Sequence, residues 1–234
     1  MVEASIKFNF GELKGLYEDF QIPEEYKSDF ELKRKLSIYE QSIEFTKDSE
    51  EGISEELKVV GHHYASKDGF RSLVVTDHHL TYSFLKSYTN FDNLTEEALL
   101  MLKSAVKGRN LEYLEGIGVA FSNEFYLPLP LEVADYFKLG VKVPEEWNYE
   151  RYAVEFFVML LHDKSTGLRG RIRRELTGVL TGEVMVKFDI FVYEQEDVSL
   201  KYDDALMTCL QEIRKFKNRI FFGAFTNKTL NQFK

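Results

Sequence analysis

The sequence predicts an α+β protein, a mostly antiparallel sheet covered by amphipathic helices. Three observations carry that expectation: strand-period alternation at several places, an Asp-Gly turn between two extended runs, and two long segments with apolar residues at helical spacing. Ile6-Lys7-Phe8-Asn9-Phe10 alternates apolar and polar residues as a half-buried strand does, and Gly11 ends it. Pro23 to Leu36 reads as a helical or irregular acidic stretch, Ile38 to Phe45 as extended, and Lys47 to Ser54 as a polar break. Leu57 to Ser66 and Phe70 to Phe84 then flank Lys67-Asp68-Gly69, which predicts a hairpin.

Asn93 to Val106 predicts a helix with Asn93 and Glu96 as a capping box, Leu94, Ala98, Met101, Leu102 and Ala105 on its apolar face, and Gly108 as its stop. Beyond it, Ile117 to Leu127 is extended and aromatic, Leu131 to Phe137 a short helix, and Tyr152 to Leu161 a hydrophobic strand. His162 to Gly167 turns the chain, Leu168 to Leu180 returns it, and Val184 to Tyr193 alternates with Val184, Val186, Phe188 and Ile190 on one face. Asp203 to Phe221 closes the series as a helix with Leu206, Leu210, Ile213 and Ile220 inward. Residues 1–110 and 111–234 share an order of strand, Pro-Glu-Glu-aromatic segment, hairpin and helix, with Ile22-Pro23-Glu24-Glu25-Tyr26 answering Val143-Pro144-Glu145-Glu146-Trp147. They are expected to form two similar α+β halves of one compact unit, since no Gly-, Ser- or Pro-rich linker divides them.

With 44% hydrophobic residues, 20 Phe and 13 Tyr, the chain can bury a core rich in flat rings. The formal net charge of −9 argues against a surface that grips nucleic acid everywhere and leaves only local basic patches for that task. The lone Cys209 sits among Leu206, Leu210 and Ile213 without a nearby histidine, which predicts a buried, unreactive thiol. No apolar run suggests a signal peptide or a membrane span, so the expected setting is the cytoplasm, with no membrane contact.

Four of the five histidines cluster in the hairpin: His62, His63, His78 and His79. A two-residue loop at Asp68-Gly69 places His62 opposite Val75 and Lys58 opposite His79, so His62, Asp77 and His79 share one side. They are the candidate metal ligands, although His62 and His79 stand several residues apart along the ladder and a polar sheet surface is the plainer reading. His162-Asp163 in the second turn suits backbone capping better than catalysis. In an extended segment Arg169, Arg171 and Arg173 project from one face, and such a row of guanidinium groups suits phosphates or carboxylates. The competing expectation is an edge strand guarded by charge, or one paired with the acidic N-terminal region. An aromatic-interleaved single-strand platform is not visible in this run, and Phe121, Phe125 and Tyr126 are the nearby aromatics that leave room for one. Walker, dinucleotide, Gly-x-Ser-x-Gly and Cys-x-x-Cys signatures are missing, and no cofactor or catalytic residue is expected.

Several short patterns together resemble a sporadically distributed family of uncharacterised prokaryotic proteins of similar length. They are Tyr64-Ala65-Ser66-Lys67-Asp68-Gly69 with Tyr88, Phe121-Ser122-Asn123 leading to Leu127-Pro128, Asp135-Tyr136-Phe137, Phe188-Asp189-Ile190-Phe191, and Phe222 to Phe233. The family's Arg-Tyr-x-Asn element stands here as Ala120-Phe121-Ser122-Asn123, without the arginine. The resemblance implies a fold and a cytosolic setting but no reaction. The expected function is therefore a non-catalytic binding or regulatory protein acting through a macromolecular partner, antitoxin-like or defence-accessory by association. The partner is expected to be another protein or a second copy, with nucleic acid reached only through a local basic patch. The alternative is an enzyme or binder acting on a phosphate-bearing ligand such as a nucleotide or RNA.

Overall fold

The computed structural model describes residues 2–44, 52–85, 90–129, 131, 133–139, 156–180, 182–194, 198–199 and 203–231. The segment Val143 to Trp147, the start of the strand expected from Tyr152 and most of the polar break after residue 44 lie outside them. Strand β1 (Val2–Asn9) leads through α1 (Leu16–Asp19) and a 3-10 turn (Glu24–Tyr26) to β2 (Phe30–Glu44). Then come β3 (Gly52–Ser66), β4 (Arg71–Thr76), β5 (His79–Leu85) and α2 (Phe91–Val106). The second part runs β6 (Tyr113–Leu114), β7 (Gly116–Pro128), α3 (Val133–Tyr136), β8 (Phe156–His162), β9 (Arg169–Leu180) and β10 (Glu183–Glu194). It ends with β11 (Val198–Ser199), α4 (Asp203–Ala224) and α5 (Asn227–Leu230).

Among the described residues nine strands form one antiparallel sheet in the order β2-β3-β4-β5-β1-β7-β10-β9-β8, while β6 and β11 make a small second pair. The join is the β1–β7 ladder, where Ala4, Ile6 and Phe8 face Phe121, Val119 and Ile117. Alternation along each strand sends every second side chain to one face. On that face Leu73, Val75, Leu80, Tyr82, Val186, Phe188, Ile190 and Val192 are buried with the β1 and β7 residues. Helix α2 covers β1 and β5, and α4 covers β10. Their inward residues include Phe91, Leu94, Ala98 and Met101 from α2 and Leu206, Leu210, Ile213 and Ile220 from α4. The aromatic load of the sequence collects here: the Phe225 ring lies 4.7 Å from Phe188, 4.9 Å from Phe221 and 5.2 Å from Phe137. At Gly170 on β9 the helix comes so near that a Cβ would stand 3.0 Å from Ile220 Cδ1 and 3.3 Å from the Phe216 ring. A side chain at that position would require the Ile220 and Phe216 side chains to give way. No helix among the described residues is long and apolar enough to cross a membrane.

Four local expectations change. The acidic stretch from Pro23 is only a 3-10 turn, and β2 already begins at Phe30, whose ring is buried. The cap of α2 is Asn90, whose side chain accepts from Asn93 N at 2.8 Å, so Asn93 lies inside the helix. The arginine-bearing β9 is not an edge strand, because β8 pairs along its far side. The run from Phe70 to Phe84 is not one strand either: it reverses at Asp77-His78, and β5 returns to pair with both β4 and β1. Lys58 and His79 are therefore not opposed, although His62 does face Val75 as expected.

The reversal has a clear cause in Thr76. Its hydroxyl oxygen accepts from His78 N at 3.2 Å and from His79 N at 3.0 Å, closing a turn that strand propensity alone conceals. The segment after β1 clamps it, with Phe10 N and Leu13 N donating to the carbonyls of His78 and Asp77 at 2.8 Å each. Thr76 is itself buried. Thr76→Val, which keeps the shape and removes the acceptor, is expected to cost about 1–3 kcal/mol in urea unfolding, with Thr76→Ser recovering most of it.

Candidate functional site

Because the described helices pack on one side, the alternate residues of the strands form an open face on the other. Register places them in three lanes that cross several strands. One lane runs Ser72, Ser83, Ser5, Ala120, Phe191, Arg171 and Leu160. The lane on one side holds Glu3, Ser122, Asp189, Arg173 and Val158, and the lane on the other holds Lys7, Gly118, Tyr193, Arg169 and His162. Residues directly opposite in such ladders have Cβ atoms roughly 5 Å apart, so the side chains within a lane are neighbours across the strands, with a gap at Gly118.

Arg169, Arg171 and Arg173 thus share the open face, one per lane, as their spacing predicted. Arg174 points the other way and is buried, its guanidinium 4.5 Å from the Phe137 ring and 5.2 Å from that of Phe157, with Nη1 donating to Leu139 O at 2.6 Å. Arg173 donates to Glu175 at 2.5 Å. Arg169 and Arg171 make no ion pair among the described residues, and both side chains are exposed. The Arg171 guanidinium stands 5.7 Å from the Phe191 ring, which in turn stacks on Tyr193 at 5.1 Å and 24°. Gly118 leaves room for this arrangement: a Cβ there would come within 2.8 Å of the edge of the Phe191 ring, which would have to shift from its present position.

Two recesses open on this surface. A smaller one of about 270 Å³ is walled by Glu3, Ser122, Asp189, Arg171, Arg173 and Phe191. A wider one of about 720 Å³ is bordered by Asn9, His78, Leu160, Arg171, Phe191 and Tyr193. Arg171 and Phe191 line both, so a ligand crossing from one to the other passes over that pair. Ser122 donates to Asp189 Oδ1 at 2.6 Å, which fixes the carboxylate on the recess wall.

The structure does not bring the expected metal ligands together. His62 lies on the helix side, its ring 5.2 Å from Tyr17 and its Nδ1 3.3 Å from Tyr64 Oη. Asp77 accepts from Leu16 N at 2.9 Å within the turn, and His79 Nδ1 stands 3.1 Å from Thr76 Oγ1. Among the described residues no three His, Cys, Asp or Glu side chains are arranged to hold a metal ion. His162 is exposed at the end of β8, while Asp163 accepts from Ser165 N at 3.0 Å and from Arg219. These bonds, those from Ser165 first, hold the Asp163 carboxyl well below the usual carboxylate range. Burial pushes the Cys209 thiol up to about 12, which removes its thiolate at neutral pH.

The aromatics that lie near the arginines in sequence are not the ones that lie beside them in the fold. Phe121 and Phe125 face the helices, and of the three only Tyr126 is exposed. The stacking pair is Phe191 and Tyr193, and the signal was present: both occupy the polar phase of an amphipathic strand, where large rings have no core to fill. Compared with known proteins, the chain matches no family model and no curated protein.

One titration follows from the geometry. Burial first, then Lys7 and His78, pushes His79 down to about 4 from an ordinary value near 6.5. The unfolded chain takes up this proton first, so stability is full above pH 6.5 and declines as the pH falls towards 4. His79→Gln is expected to flatten that decline by on the order of 1 kcal/mol after solvent screening, measured as denaturation midpoints across the window.

Proposed function

We propose that the protein is a non-catalytic binding protein whose open sheet face holds a phosphate-bearing single strand, with nucleic acid as the macromolecular partner. The observation that carries this reading is the register of Arg169, Arg171 and Arg173 with the stacked Phe191–Tyr193 pair on a face that no described helix covers. Guanidinium groups take phosphates bidentately, and rings take bases by stacking, a combination that tracks a strand with little regard to sequence. The acidic net charge of −9 confines such binding to this patch instead of spreading it over the surface.

The strand orders on either side of β1–β7, β5-β4-β3-β2 with four strands and β10-β9-β8 with three, both run backwards along the chain and support reading 1–110 and 111–234 as two similar halves of one unit. A regulatory or defence-accessory role in the cytoplasm fits the family resemblance. A second reading, a protein partner on the same face, draws on Val158 and Leu160, whose side chains are exposed beside the arginines on the outermost described strand of that end.

Fluorescence anisotropy with a labelled single-stranded oligonucleotide of about 12 nucleotides, a length within the range for such platforms, tests the reading. Arg171→Ala is expected to weaken binding about tenfold and to reduce the salt slope by about one, while Phe191→Ala weakens it by about 1–3 kcal/mol. Absence of binding by the parent, or binding unchanged when Arg169, Arg171 and Arg173 are all replaced by alanine, would refute it.

A further inference from the structure

The smaller recess contains a feature that phosphate binding leaves unexplained. Two carboxylates, Glu3 and Asp189, line it together with Arg171 and Arg173. They stand in one lane with Ser122 between them, Glu3 opposite Ser122 and Ser122 opposite Asp189. A carboxylate beside a bound phosphate repels it, so these groups favour a ligand only where that ligand presents hydrogen-bond donors to them. Ser122 occupies one position on Asp189 Oδ1 and anchors the group, which leaves the other carboxylate lone pairs to accept. Between successive phosphates of a strand, the donors nearest the backbone are ribose hydroxyls, and the 2′-hydroxyl is present in RNA and missing in DNA.

We infer that this recess reads the sugar, with the carboxylate wall formed by Asp189 and Glu3 accepting from the ribose 2′-hydroxyl while Arg171 and Arg173 hold the flanking phosphates, so that the face selects RNA over DNA. The inference rests on the reading of the open face as a single-strand site and names the class of strand. A volume of about 270 Å³ accommodates one sugar with its phosphate, and Phe191 on the same wall receives the attached base. The plainer role for Asp189, neutralising the cations around it, makes a different forecast: removing its charge would then strengthen RNA and DNA binding alike.

The experiment compares three strands of one sequence, RNA, 2′-O-methyl RNA and DNA, on the parent protein and on Asp189→Asn. The expected result is RNA bound about tenfold or more tighter than either of the others, as for a lost hydrogen bond to a charged group, with the preference collapsing in Asp189→Asn. Circular dichroism and unfolding midpoints of the variant check that its fold is retained, and Glu3→Gln supplies an independent second variant. Equal binding of RNA and DNA that still depends on Arg171 overturns the sugar selection and leaves the binding face standing, as does a preference that survives both variants. Failure to bind any strand overturns both.

Discussion

The antiparallel pairing of β1 with β7 is the constraint on which everything else depends. It places Ala4, Ile6 and Phe8 against Phe121, Val119 and Ile117, and so fuses two sets of strands into one sheet with a single buried face. A slip of one residue in this ladder would turn Glu3, Ser5 and Lys7 inward and expose the apolar set, so the helix layer enforces the register. Once α2 and α4 claim that face, the period of two leaves the intervening residues of every strand on the other side. The open face is therefore a consequence of how the core is built.

The same parity divides neighbouring charges by function. Arg173 and Arg174 are adjacent in sequence, yet Arg173 belongs to the open face while Arg174 is enclosed by the Phe137 and Phe157 rings. A comparable cation lies under α4, where Lys217 stands 4.4 Å from the Phe121 ring. Burial first, then Arg214, pushes its amine down to about 8. Lys217 thus ties α4 to an aromatic sheet residue and Arg174 packs among rings on the helix side, so neither belongs to the open face.

Much of this was legible in the sequence, because strand alternation and helical spacing are strong where one face is buried. The β10 pattern from Val184 to Ile190, the inward face of α2 and the shared projection of Arg169, Arg171 and Arg173 all needed only periodicity. What failed needed contacts between distant residues. The reversal at Asp77-His78 depends on a threonine hydroxyl and on backbone donors from Phe10 and Leu13, which no local propensity encodes. The placing of β9 inside the sheet depends on β8 pairing beyond it. The aromatic pair was missed because Phe191 matters only through the space left by Gly118 on another strand.

The central claim is that residues adjacent on β9 belong to opposite environments, one open and one sealed by α4. Thiol labelling tests it most directly: in a Cys209→Ser background, Arg171→Cys and Ile172→Cys are exposed separately to a small maleimide under native conditions. Labelling at 171 is expected at close to the rate of an unfolded control, and labelling at 172 only as fast as the fold opens. Comparable rates at the two positions, or protection at 171 in the free protein, would contradict it.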